Sequence, residues 1–180
     1  MDVDQRAGSW TLDDVFELPD SINRYEVIDG NLIVTPPPSI RHQHVGSVLL
    51  GQLMAATPQE WTAMYESYLD YGGDGRVPDL LVVRSSVLRD TTRKAFVPGE
   101  VGLAVEIVSP SSRRTDRLAK PAEYADQGID LMWRVELEPD LVVHPFRRTG
   151  TGWLAEPELR GIGVAPVPWG RLSLDLTSLL

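Results

Sequence analysis

The stretch "VPDLLVV", residues 77–83, predicts a buried strand that carries a single carboxylate at its start. Residues 80–83 form an unbroken apolar run, which is typical of a strand buried on both faces. Asp79 stands directly before this run and directly after Pro78. An unpaired carboxylate is costly to remove from water. We therefore expect Asp79 to contact a cation, a hydrogen-bond donor or a metal ion.

A second acid lies in the stretch "GLAVEIVSPSS", residues 102–112, which predicts another central strand. A period of two assigns its side chains to two faces, with Leu103, Val105 and Ile107 on one and Ala104, Glu106 and Val108 on the other. If the two strands are neighbours, Asp79 and Glu106 share a site. Carboxylates at close range repel, and a divalent cation with hard oxygen ligands relieves that repulsion.

The ligand types favour a particular metal. The two carboxylates supply oxygen, and the backbone carbonyl of Ile107 or Val108 can add a neutral oxygen ligand. The chain has no cysteine, and no paired histidines are apparent, so the pattern favours Mg²⁺, with Mn²⁺ as a substitute, over zinc.

A lysine in the following segment favours a catalytic site over a structural one. The alternative is that Asp79 caps a turn and that Glu106 pairs with a structural arginine, and spacing alone leaves both open. Lys120 follows Glu106 by 14 residues, which is the reach of a strand end, a loop and the first turn of a helix. An ammonium group beside two acids and a metal provides what phosphodiester hydrolysis requires, since both stabilise growing negative charge.

Composition limits the class of protein. The 180 residues suit one domain, predicted to span 1–180, and no apolar run reaches the length of a membrane span. We expect a soluble protein of the cytoplasm without disulfides, because cysteine is absent and no targeting segment is apparent at the N-terminus. The net charge of −9 argues against a general nucleic-acid coat protein.

One segment is nevertheless basic. The stretch "SSRRTDRLAK", residues 111–120, surrounds one acid with three arginines and a lysine. One interpretation is a solvated helix start with an N-cap serine. Its position directly after Glu106 favours contact with the DNA backbone, and the candidate residues are Ser111, Ser112, Arg113, Arg114 and Arg117.

The remaining patterns predict a mixed α and β fold (α+β), with one main sheet and helices on either side. Pro121 fits the last predicted helix only in its first turn. The predicted elements are a short helix that starts at Thr11, a hairpin around Asp29-Gly30-Asn31, a helix over 40–56, a helix over 115–127 and a hairpin that turns at 138–140.

Four blocks of the sequence, in this order, resemble the Uma family of restriction-endonuclease-like proteins, a branch of the PD-(D/E)XK nuclease superfamily. The resemblance runs from about Thr11 to Leu180. The blocks are "RYEVIDGNLIVTPPPSIRHQHV", "VPDLLVV", "EIVSPSSRRTDRLAK" and "VAPVPWGRLSLDL".

The resemblance implies a restriction-endonuclease-like core, a central mixed sheet flanked by helices, with the metal site at the strand ends. Pro78-Asp79 matches the "PD" element, and Glu106-Ile107-Val108 matches the "EXK" element with Val108 in the lysine position. The lysine is then displaced to Lys120. The implied metal ligands are Asp79, Glu106 and the backbone of Val108, and Lys120 would orient the attacking water or stabilise the transition state.

Two further residues, Glu26 and His42, fall in family-typical blocks and are expected to line the site. His42 and His44, two apart, are predicted to lie on different faces of their helix. The resemblance implies a DNA endonuclease that uses Mg²⁺ and works as a homodimer. Two alternatives remain: a nuclease-fold binding or scaffold protein without turnover, and a glycosidase that uses Asp79 and Glu106 as its acid pair.

Overall fold

The computed structural model describes residues 9–109, 113–150 and 152–179. Their fold is α+β, as predicted. No helix among them has the length and apolar character needed to cross a membrane. The helices are α1 (Leu12–Phe16), α2 (Ile40–Ala56) and α3 (Lys120–Asp126), and the strands are β1 (Arg24–Ile28), β2 (Asn31–Thr35), β3 (Trp61–Tyr65), β4 (Leu69–Asp70), β5 (Gly75–Arg76), β6 (Leu80–Arg84), β7 (Val101–Val108), β8 (Leu131–Glu136), β9 (Val142–Thr149), β10 (Gly152–Ala155), β11 (Ile162–Val167) and β12 (Gly170–Asp175).

The strands form a central sheet, an N-terminal sheet and a hairpin. The central sheet has six strands in the order β10-β9-β8-β7-β6-β3. It is mixed, because β7 and β8 are parallel while the other neighbours are antiparallel. The N-terminal sheet has the order β2-β1-β5-β4, and β11 pairs with β12 alone.

Strand β7 is the centre of the core, and every one of its residues is buried. Leu103, Val105 and Ile107 pack in the cluster that also contains Val45, Leu49 and Leu53 of α2. Ala104 packs in a second cluster with Tyr124 of α3. The two faces of β7 predicted from period two are therefore confirmed, and a helix covers each.

The N-terminal hairpin forms where it was predicted. Asp29 and Gly30 both have positive φ, 50° and 69°, and they join Ile28 to its partner Asn31. Two left-handed residues give a turn whose twist matches that of the strands it connects. Arg24 and Glu26 are two residues apart on β1, so they point to the same face of the N-terminal sheet.

The helix predicted over 115–127 is divided into two parts. Thr115–Ala119 forms a π-helical turn, and α3 begins at Lys120. The backbone N–H of Lys120 donates to the carbonyl of Thr115, five residues back. Pro121 lies in the first turn of α3, as expected, where its missing N–H leaves no helical hydrogen bond unmade. Single π turns within helices occur frequently at functional sites.

Candidate active site at the ends of β6 and β7

Asp79 is buried directly before β6, with an exposure of 2%. Its Oδ2 accepts a hydrogen bond of 2.7 Å from the backbone N–H of Ile107, and its Oδ1 accepts one of 3.1 Å from Arg24 Nη2. Burial alone would raise the pKa of this carboxyl, but a hydrogen bond from His42 and the charges of His42, Arg24 and Lys120 hold it below its ordinary value. Asp79 is therefore ionised and satisfied by N–H donors, as expected for a buried carboxylate.

Glu106 lies close to Asp79 in the strand pairing, because the antiparallel register pairs Leu80 with Val105 and each acid is the next residue beyond that pair. Its side chain is fully buried. Oε2 accepts a hydrogen bond of 2.7 Å from Lys120 Nζ, and Oε1 accepts a short one from the Tyr124 hydroxyl. Burial, together with the negative charges of Asp79 and Asp116, raises the pKa of Glu106 to about 8 in spite of Lys120.

Lys120 is buried at the start of α3, with an exposure of 5%. Besides Glu106, its Nζ lies 3.3 Å from Asp116 Oδ1 and 4.0 Å from Glu26 Oε1. Burial alone would lower the pKa of this amine, but the charges of Glu106, Glu26 and Asp116 outweigh burial and raise it. Lys120 is thus a charged ammonium among acids.

Glu26 connects the N-terminal sheet to this cluster. Its Oε1 accepts a hydrogen bond of 2.9 Å from the backbone N–H of Val77. Its Oε2 lies 3.6 Å from Nη1 of Arg76, whose Nε and Nη2 form a bidentate pair with Glu123 of α3. Glu26 is itself buried, and it lies on the Lys120 side of the cluster rather than beside Asp79.

His42 lies on the Asp79 side and is 4% exposed, whereas His44 is exposed, so the two occupy different faces of α2 as predicted. Its Nε2 is 2.9 Å from the carbonyl oxygen of Ile107 and 3.3 Å from Asp79 Oδ2. Burial would lower the pKa of His42, but its hydrogen bond to Asp79 and the charge of that carboxylate raise it. Because one nitrogen of His42 contacts both groups, the backbone carbonyl of Ile107 lies near the Asp79 carboxylate.

Within the described part of the chain, the other predicted site residues make their contacts away from Asp79, Glu106 and Lys120. Val108 ends β7 and is buried in register with Glu136 of β8. Arg117 makes a bidentate pair with Glu136, at 2.9 and 2.8 Å, and Arg113 pairs with Glu138 at 2.9 Å. Arg114 is exposed. Ser111 and Ser112 lie outside the described residues.

Arg24, Asp116 and Tyr124 also belong to the cluster, although sequence reasoning did not select them. The sequence indicated these residues only through their spacing from other residues of the site. Arg24 is two residues from Glu26 on a strand, and Asp116 and Tyr124 each lie four residues from Lys120, on one side of a helical segment. These spacings indicate a shared site only if Glu26 and Lys120 are already known to belong to it.

The oxygens of the cluster fit a hard divalent cation. Two carboxylates, of Asp79 and Glu106, and the carbonyl of Ile107 are the oxygen donors that Mg²⁺ and Mn²⁺ prefer. Burial is the largest cause of the raised pKa of Glu106, and the charges of Asp79 and Asp116 add to it, so an added cation would stabilise the ionised form. Within the described part of the chain, no group of three or more His, Cys, Asp or Glu side chains is arranged to hold a metal. A metal here would depend on two carboxylates and the backbone.

Two comparisons with known proteins identify the family and the fold of the chain. A family model described as "Uma2: Putative restriction endonuclease" matches residues 12–165. The fold is similar to a crystal structure described as "a putative nuclease belonging to DUF820" from Anabaena variabilis, with a TM-score of 0.70 and 20% sequence identity over 94% of this chain and 96% of that chain. At this identity the similarity shows a shared fold. No curated protein matches the sequence.

Proposed function

Because the chain belongs to the Uma2 family, described as "Putative restriction endonuclease", we propose that it is a divalent-metal-dependent endonuclease that hydrolyses phosphodiester bonds in DNA. The observation that carries this proposal is the convergence of three groups. Asp79 directly precedes Leu80, which pairs with Val105, the neighbour of Glu106, and Lys120 Nζ is 2.7 Å from Glu106. Acids on neighbouring strands and a lysine beside them form the arrangement expected for phosphoryl transfer to water.

The oxygens of Asp79, Glu106 and the Ile107 carbonyl would hold the metal. When bound, a divalent cation polarises a phosphoryl oxygen and lowers the pKa of a water molecule. Asp79 is held in position by the N–H of Ile107 and by His42, so its carboxylate needs little reorganisation. Groups fixed before the reaction begins stabilise a transition state better than groups that must move.

Lys120 would stabilise the negative charge that develops on the phosphoryl oxygens. Its ammonium stays protonated because Glu106, Asp116 and Glu26 surround it. The Tyr124 hydroxyl donates to the other oxygen of Glu106 and so fixes the carboxylate that orients Lys120. Asp116 and Tyr124 are positioning residues in this scheme, and Lys120 is the catalytic one.

The basic segment after β7 would contact the DNA backbone through Ser111, Ser112, Arg113, Arg114 and Arg117. The pairs Arg113–Glu138 and Arg117–Glu136 involve exposed arginines. Exposed ion pairs contribute about 0–1 kcal/mol, so Arg113 can exchange the exposed Glu138 for a phosphate at little cost. Glu136 is buried, but it also has Arg134 at 3.1 Å and would keep that partner if Arg117 turned to a phosphate. A homodimer in the cytoplasm, with one site for each strand of a duplex, completes the proposal.

Plasmid nicking with Mg²⁺ or Mn²⁺ tests this proposal. We expect Asp79→Asn and Lys120→Met each to lower the nicking rate by about 10²-fold or more, the scale seen when one stabilising group of a transition state is removed. Each substitution has a matched control. Asp130→Asn removes an exposed acid paired with Arg148, and Lys94→Met removes the other lysine of the chain, which is also exposed. Both controls should cleave as the wild type does.

Three outcomes would contradict the proposal. Equal nicking by the wild type and Asp79→Asn would assign the activity to a contaminant. DNA binding without cleavage at any divalent ion would favour a binding or scaffold protein. Hydrolysis of a glycoside that persists in EDTA and is lost in Asp79→Asn would favour the glycosidase alternative.

A further inference from the structure

Of the donors to Asp79 in the described part of the chain, Arg24 is the one that can leave with the least disturbance of the core. The N–H of Ile107 belongs to the backbone of β7, and the His42 ring is buried between α2 and β7. The Arg24 side chain is 17% exposed and has a second acid, Glu66, whose Oε1 lies 2.5 Å from Arg24 Nη2. A metal that binds Asp79 Oδ1 would meet the charge of Arg24, whose Nη2 lies 3.1 Å from that oxygen, and like charges at this distance compete for one carboxylate.

Glu66 is held in a conformation that suits this role. Its φ is 42°, in the left-handed region that a residue with a side chain rarely adopts. Its backbone N–H donates a hydrogen bond of 3.0 Å to the carbonyl of Asp79 while its side chain holds Arg24. Unusual backbone conformations of this kind concentrate at functional sites. Glu66 therefore fixes both Asp79 and the cation beside it.

Arg24 also reaches solvent, which Asp79 does not. A groove of about 190 Å³ is lined by Arg24, Glu66, Ser21 and Asn23, among others. Arg24 is its only cationic residue among those the structure describes. The guanidinium also donates to the carbonyl of Val77 at 3.2 Å, and Val77 lines the same groove. A planar guanidinium with several donors matches the oxygens of a phosphate.

We propose that Arg24 competes with a divalent cation for Asp79 and that, once displaced, it binds a backbone phosphate of the DNA in this groove. The inference rests on the proposed function and adds to it a residue that couples metal binding to substrate binding. Before the metal arrives, Arg24 neutralises Asp79. Afterwards its charge is available to the incoming strand.

The test is metal affinity in the absence of DNA. Isothermal calorimetry with Mn²⁺ should show Arg24→Gln binding at least about tenfold more tightly than the wild type, because a unit positive charge has been removed from beside a metal ligand. Arg93→Gln is the matched control, since Arg93 pairs with Glu100 in an exposed bidentate bridge. Arg93→Gln should bind Mn²⁺ as the wild type does. Unchanged or weaker binding by Arg24→Gln overturns the inference.

A second variant keeps the test decisive if Arg24→Gln alone does not fold. Arg24→Gln combined with Glu66→Gln removes both members of the pair and leaves no unpaired charge on Glu66. It should bind Mn²⁺ more tightly than Glu66→Gln alone. Equal affinity of these two proteins overturns the competition between Arg24 and the metal.

The phosphate contact has its own measurement. At saturating Mn²⁺, Arg24→Gln should raise the KM for DNA by about tenfold while kcat changes less, and an unchanged KM overturns this part.

Asp79→Asn separates the two proposals. If Asp79→Asn binds Mn²⁺ as the wild type does, the proposed function itself fails. If Asp79→Asn loses binding while Arg24→Gln does not gain it, only the role of Arg24 fails.

Discussion

Glu106 is surrounded by a stripe of side chains that repeats every four residues. Lys120 and Tyr124 each donate to one of its oxygens, and Asp116 lies 3.3 Å from Lys120 Nζ. One ammonium group thus serves several buried acids. Because Glu106 is fully buried and lies near other acids, its protonation state depends on what else binds near it.

The free energy of unfolding should depend on pH when divalent metal is absent. The pKa of Glu106 rises from 4.5 to about 8 on folding, so the folded chain keeps a proton that the unfolded chain releases. Stability from this group is complete below about pH 4.5 and is lost as the pH rises through about 8. The raised pKa of His42 acts in the same direction. We expect the free energy of unfolding in EDTA to fall by on the order of a few kcal/mol from about pH 5 to about pH 8.5, at about 1.4 kcal/mol for each pKa unit.

Urea unfolding across this range measures the slope, and Glu106→Gln is its control. Glutamine has nearly the same shape and does not titrate, so the variant should lose most of the slope. The lowered pKa of Asp79 affects stability only below this window, since that contribution is lost as pH falls. Stability that rises from about pH 5 to about pH 8.5 in the wild type would contradict the protonation assigned to Glu106.

The residues of the cluster differ in how far the sequence could predict them. Asp79 and Glu106 stand out because each interrupts an apolar run, and Lys120 because the chain has only two lysines. Arg24 and Tyr124 have ordinary surroundings in the sequence, and their roles depend on contacts with residues 55 and 18 positions away. The packing of residues distant in sequence determines the positions of Arg24 and Tyr124, and no local sequence pattern predicts that packing.

At the scale of elements, β7 depends on a close approach at its first residues. A Cβ added to Gly102 would lie 2.5 Å from Pro168 Cγ and 2.6 Å from Trp61 Cζ3. Both neighbours are rings, which cannot yield by rotating a flexible chain end. Glycine at this position therefore allows β3 and the turn before β12 to pack against β7.

The second prediction follows from this contact. Gly102→Ala should lower the free energy of unfolding by about 1–3 kcal/mol, the usual cost of overpacking a core. Gly51→Ala is the matched control, because a Cβ at this exposed position of α2 meets nothing within 4 Å. It should raise stability by about 0.5–1 kcal/mol through helix propensity. Denaturant melts of both variants provide the measurement, and a neutral Gly102→Ala would show that Pro168 or Trp61 moves aside.

Elements with a strong local signal were predictable, and elements made by contact were not. The hairpin β1–β2, helix α2 and strands β6 and β7 follow from turn residues and periodicity. Strands β4 and β5 have two residues each and exist through the pairs Leu69–Arg76, Asp70–Gly75 and Val27–Gly75. The π turn before α3 was also not predicted, because a change in helical register depends on how α3 packs over Glu106.

At the scale of the whole molecule, the acidic cluster joins the two sheets. Arg24 and Glu26 of the N-terminal sheet bond to Asp79 and to the backbone of Val77, which leads into the central sheet. If the N-terminal sheet separated, Asp79 would lose a cation and Lys120 would lose an acid. Breaking a buried ion pair costs about 3–5 kcal/mol. The sheets therefore stabilise each other through the candidate site.

The last prediction is that the chain unfolds as one cooperative unit, as expected for a single domain over 1–180. Differential scanning calorimetry should give one transition with a calorimetric enthalpy equal to the van't Hoff enthalpy. Fluorescence should report the same midpoint as circular dichroism, because Trp10 packs with the N-terminal sheet and Trp133 lies in the central core. An earlier fluorescence transition that leaves most strand signal intact would show that the N-terminal sheet melts alone. In that case the contacts of Arg24 and Glu26 would be too weak to couple the sheets, and the candidate site would open before the core does.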